Sequence, residues 1–233
     1  MSHIEKTLDL RRDTTFNARV NDCSWDQHAG RWTIKTLQGH TAKAKYLLCA
    51  TGLLHRTYTP DFPGLSDYKG EVHHSGAWPE DFDAKGKKVG IIGAGATAVQ
   101  ITQELGKTAD ETTVYLRRPS YCLAMKQRNL SDGEQQPVKS YLAALLKAGR
   151  DSRAGFPGGP REEGTLDVSD EDREAWYDEI WQRGGFNFMM AGFSDTLVNK
   201  DANEVTYQYW RKRVCERLTD PEKQKIMAPE KKP

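Results

Sequence analysis

The sequence lacks any apolar run long enough to cross a membrane. Its two longest apolar stretches, YLLCATGLL at 46–54 and YLAALL at 141–146, are far shorter than the roughly 20 residues that a membrane-spanning helix needs. The amino-terminal stretch MSHIEKTLDLRRD also lacks the hydrophobic region of a secretory signal peptide. We therefore expect a cytoplasmic protein that does not bind a membrane.

The sequence also lacks an excess of charge of either sign and any clustering of cysteines. Its 34 lysine and arginine residues are matched by 33 aspartate and glutamate residues, which disfavours nucleic acid as a partner. The four cysteines are scattered without the paired spacing of metal sites. We expect reduced thiols and no bound metal, in a chain long enough for one large domain or two modest ones.

Residues 8–51 contain short β-prone runs and no helical period. The runs are TFNARV at 15–20, RWTIKT at 31–36 and AKYLLCATG at 44–52, separated by the turn-like DQHAG and LQGH. They predict a three-stranded meander. The last run is apolar enough to be a buried strand of a larger sheet.

The segment 53–86 is rich in proline, glycine, aspartate and histidine and is predicted to be a linker. From Lys87 the pattern becomes a strand (VGII at 89–92), a glycine turn, a helix with apolar residues at helical spacing, and a second strand (TTVYLRR at 112–118). This order predicts a βαβ unit over 87–119.

Beyond Pro119 the sequence predicts mostly helix, around 137–148, 171–183 and 202–218. Asp170 and Asp201 are candidate N-caps, and Gly184 with Gly185 predicts a helix end. The final segment 221–233 is predicted to be frayed. The aromatic and methionine residues of 181–195 and 201–222 are suited to a substrate pocket, but helical core packing is the commoner role and is favoured.

The glycine turn has the form GxGxxA, and its place between a strand and a helix makes it more than a bare motif match. Gly93 permits a tight turn, Gly95 lets the backbone approach a pyrophosphate, and Ala98 allows helix and strand to pack closely. The alternative is a glycine turn that binds nothing. The predicted binding residues are Gly93, Ala94, Gly95, Ala96, Thr97, Ala98 and Val99.

Arg117 and Arg118 follow the second strand of this unit. Enzymes that use NAD usually offer an acidic residue there for the ribose hydroxyls, whereas arginine suits the 2′-phosphate of NADP. The pair therefore predicts NADP(H), unless the two arginines are only solvated residues at a strand end.

A fingerprint precedes the βαβ unit. The segment YKGEVHHSGAWP at 68–79 has the form aromatic-x-Gly-x-x-x-His-x-x-x-Trp-Pro. It resembles the signature of Baeyer-Villiger monooxygenases, which use FAD and NADPH, with tyrosine where the family has phenylalanine. A register that starts at Phe62 and Gly64 places tyrosine where the histidine belongs. The fingerprint residues are Tyr68, Gly70, His74, Trp78 and Pro79.

The resemblance implies roles for several residues. Ala50, Thr51 and Gly52 resemble the ATG segment that lies near FAD, and Val20 resembles a residue near the flavin's adenine. Arg117 matches the family, whereas Arg118 replaces a small hydroxyl residue. The fingerprint would couple the two nucleotide domains during turnover; alternatively, Trp78 fills a linker core and His74 hydrogen-bonds a backbone group.

The implied fold class is α/β, a partial flavoprotein with two dinucleotide-binding parts. Its expected parts are a β-meander of the FAD domain (1–52), the linker (53–86), a Rossmann-like NADP unit (87–119) and a helical insertion (120–233). The family's amino-terminal FAD loop has no counterpart here, and its catalytic arginine would lie beyond IMAPEKKP. We therefore expect an internal fragment, without an assignable catalytic residue.

The implied reaction inserts oxygen from O2 next to a ketone to give an ester or a lactone, with NADPH as reductant; secondary-metabolite biosynthesis is one setting. Two alternatives stay open. One is an NADP(H)-binding module without catalysis. The other is an N- or S-oxidising flavin monooxygenase, a class whose similar fingerprint ends in tyrosine.

Overall fold

A computed structural model describes residues 2–52, 54, 56–152 and 155–232. The chain divides into two compact units, Met1–Trp78 and Pro79–Pro233. The division falls inside the predicted linker, whose first residue, Leu53, lies outside the described residues. The described part of the chain contains both helices and strands, so the fold is mixed α/β.

The first unit contains a helix and an antiparallel meander. Helix α1 spans Ser2–Leu8, and it was not predicted. Strands β1 (Val20–Asp26), β2 (Arg31–Thr36) and β3 (Thr41–Ala44) pair in chain order. The first turn is stabilised by Asp26, whose Oδ1 accepts from the amides of His28 and Ala29 at 2.9 and 3.0 Å. The predicted three-stranded meander is therefore confirmed.

Two of its strands lie elsewhere than predicted. The first was expected at 15–20 but begins at Val20, since 15–19 has no strand structure. The third was expected at 44–52 but ends at Ala44. Residues 46–52 form no backbone hydrogen bond to another described segment, and Leu48 is 86% exposed. The prediction of a buried strand was wrong because an apolar run forms a strand only where a neighbouring strand satisfies its amides and carbonyls.

Short 3₁₀ turns at Leu65–Asp67 and Ser75–Ala77 interrupt an otherwise irregular segment. The second unit then begins with the predicted βαβ arrangement. Strand β4 (Lys88–Ile92) lies parallel to β5 (Glu111–Tyr115), and helix α2 (Ala96–Leu105) connects and packs on them. Strand β5 ends at Tyr115, so Arg117 and Arg118 lie in the loop beyond it.

Five helices follow in the described chain. They are α3 (Asp132–Asp151), α4 (Asp170–Arg183), α5 (Asn187–Met190), α6 (Lys200–Cys215) and α7 (Pro221–Met227). The N-caps of α4 and α6 are Ser169 and Asn199, not the expected Asp170 and Asp201. The predicted end of α4 is confirmed, since Gly184 and Gly185 both have positive φ.

Helix α3 begins five residues before the predicted start at Pro137. A capping box explains the difference: the Glu134 carboxylate accepts from the Ser131 amide at 2.9 Å and from Arg128 at 2.7 and 3.0 Å. The hydrogen bond from Arg128 is the main reason why the pKa of Glu134 is lowered to about 2. Pro137 lies inside α3 and cannot donate to the Gly133 carbonyl, so the helix continues through it with one backbone hydrogen bond fewer.

The helices enclose an aromatic core. Tyr177 is buried at its centre and lies edge-on to Phe193, while Phe188 stacks on Tyr209 with ring centroids 5.5 Å apart. The core members are Tyr177, Ile180, Trp181, Phe188, Phe193, Tyr207, Tyr209, Trp210 and Ala228. Most aromatic residues of 181–195 and 201–222 therefore pack the core, as favoured from the sequence.

The carboxyl-terminal segment packs on this core. Asp220 caps α7 by accepting from the amide of Glu222 at 2.9 Å, and the Tyr207 hydroxyl donates to the Pro229 carbonyl at 2.5 Å. Ala228 is completely buried. The expectation of a frayed end was wrong, because these caps and the burial of Ala228 fix the segment.

Candidate functional site

The glycine-rich turn between β4 and α2 is open to solvent on its outer side. Gly93 has φ +119°, a conformation that side chains disfavour. Gly95 is the N-cap of α2, and a Cβ built on it would meet no atom within 4 Å. The first-turn amides of α2 have no partner in the helix and carry partial positive charge. The turn thus offers unobstructed backbone donors to an anionic group such as a pyrophosphate.

Two hydrogen bonds fix this turn from the side of β5. The Gly93 amide donates to the Tyr115 carbonyl at 2.8 Å, at the end of the strand. The Ser120 hydroxyl donates to the Ala94 carbonyl. On the helix side, the Val99 amide donates to the Gly95 carbonyl at 3.0 Å. The loop after β5 therefore lies directly beside the glycine turn.

Arg117 and Arg118 lie in that same loop and are exposed. Within the described parts of the chain, neither guanidinium makes a side-chain hydrogen bond or an ion pair. Arg118 is close enough to Tyr121 for its charge to affect the hydroxyl: burial raises the pKa of Tyr121, and Arg118 opposes that rise. The structure thus places two available cations two and three residues beyond Tyr115, whose carbonyl holds the turn.

The loop continues onto the helical core. The ring of Tyr121 meets Trp210 edge-on, with centroids 5.2 Å apart, and meets Tyr207 at 5.6 Å. The Trp210 indole N–H donates to the Cys122 carbonyl at 2.9 Å. Ser120, Tyr121 and Trp210 were not singled out from the sequence. A hydroxyl 26 residues from its acceptor leaves no local pattern, and an aromatic residue in a helix indicates only packing.

His74 of the fingerprint caps a 3₁₀ turn. Its Nδ1 accepts from the Gly76 amide at 3.0 Å, so the imidazole hydrogen-bonds the backbone. Tyr68 lies over Gly70: a Cβ there would be 2.5 Å from the tyrosine hydroxyl. The glycine therefore gives the ring room, and the tyrosine ring is otherwise largely exposed.

Trp78 is 40% exposed, so it is not the fully buried centre of a linker core. Its ring lies 6.4 Å from that of His73, which also approaches Glu71 at 3.1 Å. Trp78 ends the first unit and Pro79 begins the second. The fingerprint thus crosses the division between the two units.

The residues expected near FAD lie in the first unit. Val20 is the first residue of β1 and is 53% exposed. Ala50, Thr51 and Gly52 are exposed and belong to no strand, and Gly52 has φ +75°. Beside this segment, Trp25, Trp32 and residues 45–48 line a shallow, mostly apolar hollow of about 800 Å³.

No helix among the described residues is long and apolar enough to span a bilayer, and no cluster of three or more potential metal ligands occurs among them.

Comparison with known proteins identifies similar chains. Residues 4–134 match the family described as flavin-binding monooxygenase-like. The chain is 36% identical to the FAD-binding monooxygenase acrE of Aspergillus aculeatus, over 99% of this chain and 39% of that protein. It is 33% identical to cyclopentanone 1,2-monooxygenase of a Comamonas species, over 98% of this chain and 42% of that protein.

A solved structure has the same fold. The crystal structure of OTEMO in complex with FAD and NADP aligns with a TM-score of 0.91 and 28% identity, covering 98% of this chain and 44% of that one. The chain therefore spans less than half the length of each of these three relatives.

Proposed function

Because the chain belongs to the flavin-binding monooxygenase-like family, we propose that it forms the NADP(H)-binding part, and a segment of the FAD-binding part, of a Baeyer-Villiger monooxygenase. In this proposal 87–119 is the Rossmann-like NADP unit, 120–233 an insertion in it, 53–86 the linker and 1–52 a piece of the FAD domain.

One observation carries the proposal: an open glycine turn and two available guanidinium groups lie on neighbouring loops of one βαβ unit. The amides at the start of α2 bind the pyrophosphate, because they are unpaired and lie at the positive end of the helix. Arg117 and Arg118 bind the 2′-phosphate that distinguishes NADP from NAD. The residues of this loop therefore suit the nucleotide that OTEMO binds in its solved structure.

Val20, Ala50, Thr51 and Gly52 contribute backbone contacts to FAD in this proposal. Their exposure and the positive φ of Gly52 suit a backbone that meets a ligand.

FAD, when bound, supplies the chemistry that activates oxygen. The whole reaction converts a ketone, O2, NADPH and a proton into an ester or lactone, NADP⁺ and water. The name of the Comamonas relative supports a ketone as the substrate class.

The fingerprint residues shape the linker between the two nucleotide-binding parts. His74 caps a turn, and Gly70 accommodates the ring of Tyr68. Trp78 and Pro79 occupy the division between the units. Their proposed role is therefore conformational, and they take no direct part in oxygen transfer.

Calorimetric titration of the chain with NADPH and NADH tests the nucleotide site. We expect Arg117→Ala and Arg118→Ala each to weaken NADPH binding about tenfold, because each removes one charge-assisted contact to the 2′-phosphate. NADH binding is expected to stay unchanged. Arg217→Ala is the matched control, since Arg217 is also exposed and lies on the helical part.

Equal NADPH affinity in all four proteins, or no NADPH binding at all, would contradict the nucleotide assignment. Oxygen insertion is tested separately, by NADPH consumption and product analysis with ketone, amine and sulfide substrates. An ester or lactone supports the proposal, whereas N- or S-oxides point to the related oxidising enzymes. NADPH binding without turnover or bound flavin indicates a binding module.

A further inference from the structure

The helical part of the second unit is connected to the glycine turn by one short loop segment. Ser120 donates to the Ala94 carbonyl in the middle of the GxGxxA turn. The next two residues contact α6: Tyr121 meets Trp210 edge-on, and the Cys122 carbonyl accepts from the Trp210 indole at 2.9 Å. A single segment therefore contacts the turn at one end and a buried aromatic residue at the other.

Trp210 is buried and closely packed, so it holds that segment in place. It is 4% exposed and stacks on Tyr207 with centroids 5.6 Å apart. The hydroxyl of Tyr207 donates in turn to the Pro229 carbonyl. Side chains packed this densely have little freedom to shift, so the Cys122 carbonyl, and with it Ser120, stays in place.

The orientation of the Ala94 carbonyl determines the orientation of a peptide group in the turn. The adjacent Gly93 has φ +119°, and glycine is the residue with the widest choice of backbone conformations. The amide of Gly95 belongs to the same peptide group as the Ala94 carbonyl, so holding that carbonyl also fixes the direction of the Gly95 amide. Preorganised donors bind an anion more tightly than donors that must first be ordered.

We propose that Ser120, supported by Trp210, is a positioning residue that holds the Ala94–Gly95 peptide group in the orientation that binds a dinucleotide pyrophosphate. This inference rests on the proposed NADP(H) site. Ser120 acts through the backbone of the turn and does not itself need to touch the nucleotide.

The test uses the 233-residue chain and two measurements. The first is NADPH affinity by calorimetry, for which we expect Ser120→Ala to bind about fivefold more weakly, the usual effect of losing one neutral hydrogen bond. Ser120→Thr keeps a hydroxyl and is expected to restore binding. Ser194→Ala is the matched control, because the Ser194 hydroxyl also donates to a distant backbone carbonyl, that of Glu162 at 3.0 Å.

The second measurement is hydrogen exchange without nucleotide at the amides of Gly93 and Val99, which are hydrogen-bonded in the turn. We expect faster exchange in Ser120→Ala and unchanged exchange in Ser120→Thr and Ser194→Ala. Should Ser120→Ala fail to fold, Trp210→Phe carries the same test. It retains a ring and deletes the donor to Cys122, so faster exchange is expected there too.

The two measurements distinguish failure of the positioning role of Ser120 from failure of the proposed NADP(H) site. If the unchanged chain binds NADPH and Ser120→Ala binds it equally well with equal exchange, the positioning role is overturned and the nucleotide site stands. If the unchanged chain binds no NADPH, the proposed function falls and exchange alone decides the positioning role. Exchange equal to that of the unchanged chain then overturns it, and faster exchange supports it.

Discussion

Gly95→Ala is expected to separate nucleotide binding from folding. Gly95 has φ −69° and ψ 173°, which alanine adopts without strain, and the added Cβ meets no atom of the chain within 4 Å. The methyl group therefore occupies open space at the start of α2. In the proposed complex, that space holds the pyrophosphate.

The expected magnitudes follow from this geometry. Alanine is a poorer N-cap than glycine, by several tenths of a kcal/mol, but it also restricts the unfolded chain, which stabilises by about 0.4–1 kcal/mol. The two effects nearly cancel, so the free energy of unfolding should change by less than about 1 kcal/mol. A carbon atom keeps about 3.5 Å from its neighbours, whereas an amide must reach a phosphate oxygen within about 3.2 Å. Losing such contacts should weaken NADPH binding at least about tenfold, or about 1.4 kcal/mol.

Urea denaturation and NADPH calorimetry on the same preparations measure both quantities. Gly93→Ala provides the contrast: at φ +119° a side chain is strained, so this variant should lose about 1–3 kcal/mol of stability. Gly133→Ala is the matched control, since its Cβ would also meet nothing within 4 Å but the residue lies in α3. NADPH binding by Gly95→Ala as tight as that of the unchanged chain would refute the placement of the pyrophosphate at this turn.

Two further predictions concern the helical part. Tyr177→Phe should lower the free energy of unfolding by about 1 kcal/mol in urea denaturation, because the hydroxyl is 2.6 Å from Thr206 Oγ1 in a buried site; exposed Tyr141→Phe should have no effect. The pKa of Glu134 is lowered from 4.5 to about 2, so its contribution to the α3 cap is complete above pH 4.5 and is lost as the pH falls through about 2. NMR titration of the Ser131 amide should follow that step, and the same step in Glu134→Gln would refute the assignment.

The parts of the fold that could be predicted are those that local pattern determines. Strand β4, the glycine turn and helix α2 follow one another within 18 residues, 88–105, and each has a clear signal of its own. The end of α4 was predicted for the same reason, since the two glycines at 184 and 185 are a local signal. The start of α3 after Ser131 also has a local signal, because Ser131 and Glu134 form a capping box, but the prediction placed the helix start at Pro137.

Other features depend on partners distant in sequence. The apolar run at 46–52 has the composition of a strand, yet its structure depends on whether another strand pairs with it. Helix α7 has a local cap at Asp220, but the hydrogen bond from Tyr207 to Pro229 that holds the segment after it comes from α6. In the candidate site, the glycine turn and the two arginines could be found from their spacing in the sequence. Ser120 and Trp210 could be identified only from their hydrogen bonds in the structure.

The tryptophan side chains differ in how deeply they are buried. This difference determines what a fluorescence experiment on this chain reports. Trp181 and Trp210 are buried among the helices of the second unit, while Trp25 in the meander is 45% exposed. Emission at short wavelength therefore originates mainly from the second unit, and its shift on denaturation monitors that unit. Melting of the meander would change the emission of only Trp25 and the partly buried Trp32, so amide-specific spectra are needed to follow it in detail.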